Sequence, residues 1–311
     1  MRSIVDGHCD TIVKLLKDGE GLLENQKHLD LRRLSEFGTP VQFFAIWLEP
    51  AFYPISLRQT IKSIDYYYSQ LEQNKDIIRH SNGYQDILKN KAKGKMSGLL
   101  SLEGGEALEG DISSLRMLYR LGVRGMTLTW NHRNPLGDGV AERGTGGGLT
   151  SFGKDVVREM NRLGMVVDVS HLSENGFWDV ERTAEMPYIA SHSNAKGICS
   201  CPRNLTDEQI RVIAGRGGVI GINLYPPFIA EKETVDLEDV MRHIDYIINL
   251  AGDDCIGLGC DFDGIDKTPV DLQNISHLKK LLERIEIEYG KEIADKIAEK
   301  NFLRILKKIL R

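Results

Sequence analysis

Short apolar runs of strand length alternate with helical patterns from one end of the chain to the other. The strand-like runs are Ile4 to Asp6, Val41 to Trp47, Met96 to Leu102, Gly125 to Thr129, Met165 to Val169, Tyr188 to Ala190, Gly218 to Asn223 and Ile256 to Gly259. Between them, apolar positions recur at helical spacing over Thr11 to Lys17, Ser56 to Gln73, Ile112 to Leu121, Ser151 to Leu163, Ser173 to Thr183, Thr206 to Ala214 and Leu237 to Leu250. Gly122 and Gly164 fit C-caps, and Thr206 fits an N-cap. Two helices, Asp271 to Tyr289 and Lys291 to Leu310, close the chain. The strands are apolar on both faces rather than alternating, which is the pattern of a parallel sheet covered on both sides. Eight strand-helix pairs in about this length predict a (β/α)8 TIM-type barrel, and with no repeat, low-complexity tract or linker the expectation is one domain over residues 1–311. An open doubly wound sheet is the alternative. It would want a glycine-rich phosphate loop directly after an early strand, whereas Gly144 to Gly148 follows a loop and reads as a flexible segment.

Composition narrows the partners. The 311 residues are 41% hydrophobic with a net charge of −5, so a large core is available and no basic nucleic-acid footprint is present. No apolar run is long enough to cross a membrane. The first strand follows Met1-Arg2-Ser3 at once and leaves no signal peptide. Five cysteines (Cys9, Cys199, Cys201, Cys255, Cys260) at irregular spacing predict reduced thiols and a cytoplasmic protein.

The candidate chemistry lies where the strands end. His8 and Asp10 follow the first strand two residues apart, a spacing that points both side chains the same way. Glu103 follows the third strand, His171 the fifth, His192 the sixth and Asp261 the eighth. All six fall at C-terminal strand ends, the face that carries chemistry in such barrels. His28, His80, His243 and His277 fall in helices or loops and read as surface or packing residues. Three imidazoles and several carboxylates exceed one tetrahedral site and suit two metals bridged by a carboxylate, with zinc favoured and other divalent metals able to substitute. Glu103 is the natural bridge, since Gly104-Gly105 would leave open space around it.

The chain resembles the renal (membrane) dipeptidases, a binuclear zinc family with an amidohydrolase-type barrel. The resemblance spans nearly the whole chain. It rests on Asp6-Gly7-His8-Cys9-Asp10, Glu103-Gly104-Gly105, Thr127-Leu128-Thr129, Asp168-Val169-Ser170-His171, Ser191-His192-Ser193, Arg203-Asn204, Gly259-Cys260-Asp261-Phe262-Asp263-Gly264 and Asn301-Phe302-Leu303-Arg304. It implies that His8 and Asp10 hold one zinc, that Glu103 bridges, and that His171 and His192 hold the other. It implies that Asp261 handles the proton of a metal-bridging hydroxide, and that Arg203 grips the substrate's C-terminal carboxylate. In the mammalian pattern a substrate-contacting histidine directly follows Thr-Leu-Thr. Trp130 stands there, so His132 is the candidate to replace it.

The expected activity is hydrolysis of free dipeptides, including those with a D-residue at the C-terminal position, and the resemblance implies a homodimer. The alternative is another binuclear hydrolase acting on a lactone, ester or phosphoester. Such a substrate has no carboxylate for Arg203 to hold. A non-catalytic metal-binding barrel would lack a ligand or Asp261, and none is missing. Side-chain pockets are expected from the loops Glu49 to Ser56 and Asn131 to Gly148.

Overall fold

A computed structural model describes residues 2–310. Among the described residues nine strands form: β1 (Val5–Asp6), β2 (Val41–Trp47), β3 (Ile78–His80), β4 (Met96–Glu103), β5 (Val123–Thr127), β6 (Val166–Asp168), β7 (Ile189–Ala190), β8 (Val219–Ile222) and β9 (Ile256–Leu258). Eight of them close a parallel barrel in the order β2-β1-β9-β8-β7-β6-β5-β4. The ring is sealed by β2 against β4, in register from Val41 with Ser97 to Trp47 with Glu103. β3 is an addition. It pairs with Met96, Ser97 and Gly98 of β4, below the level where β5 takes over that edge. The eight barrel strands are the eight read from the apolar runs.

Helices cover the outside, and local signals set their ends. The helix Asp207–Gly215 starts from a capping box in which Thr206 and Gln209 bond reciprocally. The helix Ser151–Leu163 stops at Gly164, whose φ of +78° a side chain would resist. β3 and the helix Tyr84–Ala92 escape the sequence reading, as do the four-residue helices Leu31–Leu34 and Pro226–Ile229. Ile78-Arg79-His80 is too short and too polar to stand out, because β3 has a partner on one side only. The first closing helix begins at Leu278 rather than Asp271. Before it the chain turns at Pro269–Leu272, and Asn274 caps a short 3-10 turn over Ile275–His277. The break at Gly290 falls where expected, with φ +81°.

The barrel interior at its N-terminal end is filled by Val5, Val41, Phe43, Leu99, Val166, Ile189 and Val219. The helix Asn301–Ile309 plugs this end with Phe302, Ile305 and Ile309. Phe302 reaches far in. A Cβ on Gly257 would lie 2.5 Å from its ring, and one on Gly7 would lie 2.7 Å from it. These glycines are gaps for the phenyl ring, whose burial is worth about 1.5–3 kcal/mol. With that end plugged, the barrel interior opens towards the C-terminal ends of the strands.

His80 lies in β3 rather than in a helix or loop, and it packs as a neutral imidazole. Tyr67 donates its hydroxyl to Nδ1 (2.9 Å), and Nε2 faces Asn82 Oδ1 at 3.2 Å. Burial, with some help from Arg124, pushes its pKa down to about 4. A histidine of ordinary pKa in the unfolded chain binds a proton first, so stability falls as pH drops from about 6.5 towards 4. At pH 5 the loss from this residue is on the order of 2 kcal/mol. Urea unfolding of metal-stripped protein at pH 7.5 and pH 5 checks it: His80→Gln should show a shallower loss than wild type. Equal losses would remove His80 as the cause.

Candidate active site

Every metal-capable residue named from the sequence is brought to one place. His8 Nε2 lies 3.3 Å from Asp10 Oδ2, 3.7 Å from Glu103 Oε2 and 3.9 Å from Asp261 Oδ1. Glu103 Oε1 lies 2.9 Å from His171 Nε2 and 3.5 Å from His192 Nε2. All six side chains are buried. The donor atoms form overlapping triads within 4.8 Å: His8, Asp10 and Glu103; Glu103, His171 and His192; and His8, His192 and Asp261. Glu103 is therefore shared by one imidazole-carboxylate group and one bis-imidazole group, one carboxylate oxygen to each.

The backbone is bent to make this possible. His171 and Asp261 have positive φ, 67° and 60°, and Asp263 has 68°. Such values in residues with a Cβ are held by the surrounding fold and concentrate at functional sites. Asp10 stands at the N-cap of the helix Thr11–Asp18, yet its carboxylate caps nothing and Oδ1 has no hydrogen-bond partner among the described residues. His8 Nε2 is likewise without a partner among them.

The imidazoles of the second group are set with one nitrogen outward and one inward. His171 Nδ1–H donates to Asn131 Oδ1 at 2.7 Å. Ser191 donates its hydroxyl to Asp168, so it accepts from His192 Nδ1–H at 2.7 Å. Asp168 is itself anchored by the backbone N–H groups of Ser170 and Ser191 and by the Thr127 hydroxyl. Each ring thus carries its proton on Nδ1 and aims the Nε2 lone pair inward. The two Nε2 atoms are 2.8 Å apart and face a carboxylate oxygen. Lone pairs gathered on one point, beside orphaned buried polar atoms, suit a cation and little else.

The electrostatics agree. Burial opposes a charged Glu103, but the neighbouring imidazoles, His8 foremost, hold its carboxyl well below the usual range. Burial and repulsion by Glu103 push Asp10 up to about 6. Burial, with Asp10 and Glu103 nearby, pushes Asp261 up to about 7 despite His8. Burial and Arg203 bring His171 down to about 4, and burial and His8 take His192 well down. Buried carboxylates crowded to this degree need positive charge to offset them.

Three expectations are corrected. Gly104 and Gly105 do not leave space beside Glu103. Gly104 has φ +100°, and a Cβ there would meet Glu106, while one on Gly105 would meet Leu136 at 2.6 Å. They serve the tight turn out of β4. Nor is Gly144 to Gly148 loose: Asn175 Nδ2 donates to Gly146 O, and Ser173 donates to Gly147 O. His132 is not brought to the cluster either. Its side chain is 60% exposed and lies 3.7 Å from Glu142. Trp130 and Asn131 face inward instead, and the Ala141 N–H to Asn131 O bond turns the next residue to solvent.

Above the cluster opens a cleft of about 660 Å³. Asp10, Glu103, His171 and Asp261 form its floor. Glu49, Phe52 and Asn131 come from the two expected loops and Trp130 lies just before the second, but Val13, Lys14, Gln59 and Lys62 come from two helices outside both loops. Trp47 and Trp130 meet edge to face, with ring centroids 5.2 Å apart. Arg203 is buried beside the floor. It donates from Nη2 to His192 O (3.3 Å), lies 5.4 Å over the Phe228 ring and leaves Nε without a partner among the described residues. It lines a small crevice with His171 and Ser193, next to the main cleft, which His171 and Phe228 also line. Asn223 also went unread. It donates from Nδ2 to Asp261 Oδ2 at 3.0 Å, and its own backbone is fixed by Asn194.

Known proteins share this sequence pattern and this architecture. The profile of membrane dipeptidase (peptidase family M19) matches residues 2–310. A protein encoded in the pqqA 5′ region of Klebsiella pneumoniae is 36% identical over 79% of this chain and 97% of its own length. A dipeptidase of Aspergillus oryzae is 32% identical over 89% of this chain and 69% of its own length. Among solved structures, a family M19 metallopeptidase described as dipeptidase AC superposes with a TM-score of 0.93 at 28% identity, covering 99% of both chains. A metallopeptidase of Rhodobacter sphaeroides, bound to a phosphinate mimic of L-Ala-D-Ala, superposes with a TM-score of 0.90 at 28% identity, again over 99% of both chains. With the barrel, the Glu103-centred cluster and these matches in agreement, the chain belongs to the membrane dipeptidase family, peptidase family M19, and is a metallodipeptidase.

Proposed function

We propose that the protein hydrolyses free dipeptides with two zinc ions at the cluster, one held by His8, Asp10 and Glu103 and the other by Glu103, His171 and His192. The observation that carries this reading is the sharing of Glu103 between two donor triads. Bound metal of this kind lowers the pKa of a coordinated water towards neutrality and polarises a carbonyl oxygen. The chain's own residues supply the rest. Asp261, held by Asn223 with its other oxygen facing His8, takes a proton from the attacking water and returns it to the leaving amine. The Trp47-Trp130 pair narrows the cleft and keeps bulk water from the reacting atoms. Arg203, whose Nε has no partner among the described residues, grips the C-terminal carboxylate, a task suited to a guanidinium. A mimic of L-Ala-D-Ala bound to the Rhodobacter sphaeroides relative supports acceptance of a D-residue at the C-terminal position.

The test is a dipeptide panel with L-D pairs and C-terminally amidated controls, assayed with metal-stripped protein before and after zinc is added. Zinc-dependent cleavage of free dipeptides but not of their amides is expected. Zinc binding with cleavage of esters or lactones alone would move the substrate class. Arg203→Ala should raise KM for dipeptides by roughly 10- to 100-fold, in line with loss of a charged hydrogen bond, and change kcat less. An unchanged KM would refute the clamp.

A further inference from the structure

Asn131 belongs to the segment that departs from the Thr-Leu-Thr-His pattern, and its place in the fold gives it a task. Its carboxamide oxygen accepts the Nδ1–H of His171 at 2.7 Å, while the residue itself lines the cleft. Both residues are clamped by the same loop. Ala141 N–H donates to Asn131 O at 2.8 Å, and the next link, Val140 N–H, donates to His171 O at 2.8 Å. Gly139 lies so close that a Cβ there would be 2.5 Å from the Asn131 carbonyl carbon. The partner of the other inward imidazole is unlike this one. His192 is held through the Ser191 hydroxyl by the buried carboxylate Asp168. One ring of the pair is therefore oriented from the rigid strand ends, and the other from the loop that walls the cleft.

We infer that Asn131 is the positioning residue for His171 and sets the affinity of the His171-His192 metal site. The inference rests on the binuclear reading proposed above. Without Asn131 the His171 ring loses the acceptor that fixes its tautomer and its rotation about χ2. Removing such a partner weakens metal binding by roughly 10- to 100-fold. Asn131 makes its hydrogen bonds to His171 and Ala141 and not to His8 or Asp10, on the far side of Glu103, so the His8-Asp10 site keeps its affinity.

The experiment is zinc titration of metal-stripped protein against a competing chelating dye, with zinc per chain counted after dialysis. Wild type, Asn131→Ala, Asn131→Leu and Asn131→Asp are compared, and variants whose metal-free melting temperature matches wild type are read. Leu keeps the volume without an acceptor, and Asp restores an acceptor for Nδ1–H. Two tight zincs are expected in wild type. One of the two should weaken 10- to 100-fold in Ala or Leu, and two tight zincs should return in Asp. Wild-type affinity at both sites in Ala and Leu would overturn the inference, as would failure of Asp to restore the weakened site. A wild-type protein that takes up no zinc would instead overturn the binuclear reading, and this inference with it.

Discussion

Asp261→Asn is expected to keep its metals and lose most of its turnover. His8, Asp10, Glu103, His171 and His192 all remain, and asparagine has the shape of aspartate, so the carboxamide oxygen introduced by the substitution can still accept from Asn223 Nδ2. What disappears is the oxygen that can hold a proton. Positioned proton transfer contributes roughly 10²- to 10⁴-fold, so kcat should fall by about three orders of magnitude, equivalent to about 4 kcal/mol of barrier. Zinc per chain and KM should move little. The comparison needs metal analysis beside steady-state kinetics, because a variant that lost zinc would be just as inactive for a different reason. Turnover near wild type with full metal content would take Asp261 out of the proton path.

Gly264→Ala should be more damaging still, by emptying the site while leaving the fold. A Cβ at this position would lie 2.3 Å from Asp10 Oδ2 and 2.3 Å from Asp261 Oδ1. Neither contact is tolerable. Both atoms end side chains that can swing aside, so the clash is relieved without moving the barrel. The relief carries Asp10 and Asp261, the proposed ligand and the proposed proton carrier, out of place together. Activity should fall at least about 10³-fold, the scale of losing proton transfer alone, with the His8-Asp10 metal lost or much weakened. The melting temperature of the metal-free protein should stay close to wild type. A Gly264→Ala protein with two zincs and ordinary kinetics would show that the carboxylates do not converge as described.

The two variants differ in kind. Asp261 was legible as chemistry, a carboxylate at a strand end in line with others. Gly264 was legible only as a letter in a motif. Its importance lies in the space left between two side chains that are separated from each other by most of the chain. The same holds for Asn301-Phe302, which reads as a closing signature. In the folded protein it is a ring inserted against Gly7 and Gly257 that shuts the far end of the barrel.

The pattern along the chain was enough to determine the barrel and to collect the residues of the cluster. Apolar runs on both strand faces, spaced by helices, admit few other architectures, and the eight strands appear where those runs are. Parallel strands in such a barrel all point the same way, so residues just past each run must share one rim. This is why His8, Asp10, Glu103, His171, His192 and Asp261 could be collected without any distance being known. Tertiary structure alone decided which side chain beyond Trp130 turns inward. Local pattern cannot tell Asn131 from His132, because their directions are set by hydrogen bonds to His171 and Ala141, tens of residues away in one case and across a loop in the other. It also decided the tautomers of His171 and His192, the burial of Arg203 in a crevice beside the cluster, and the two helices that line the cleft. Strand order and face are repeated along the chain and can be read from it, whereas a hydrogen-bond partner is one unrepeated contact made only when the ring of strands closes.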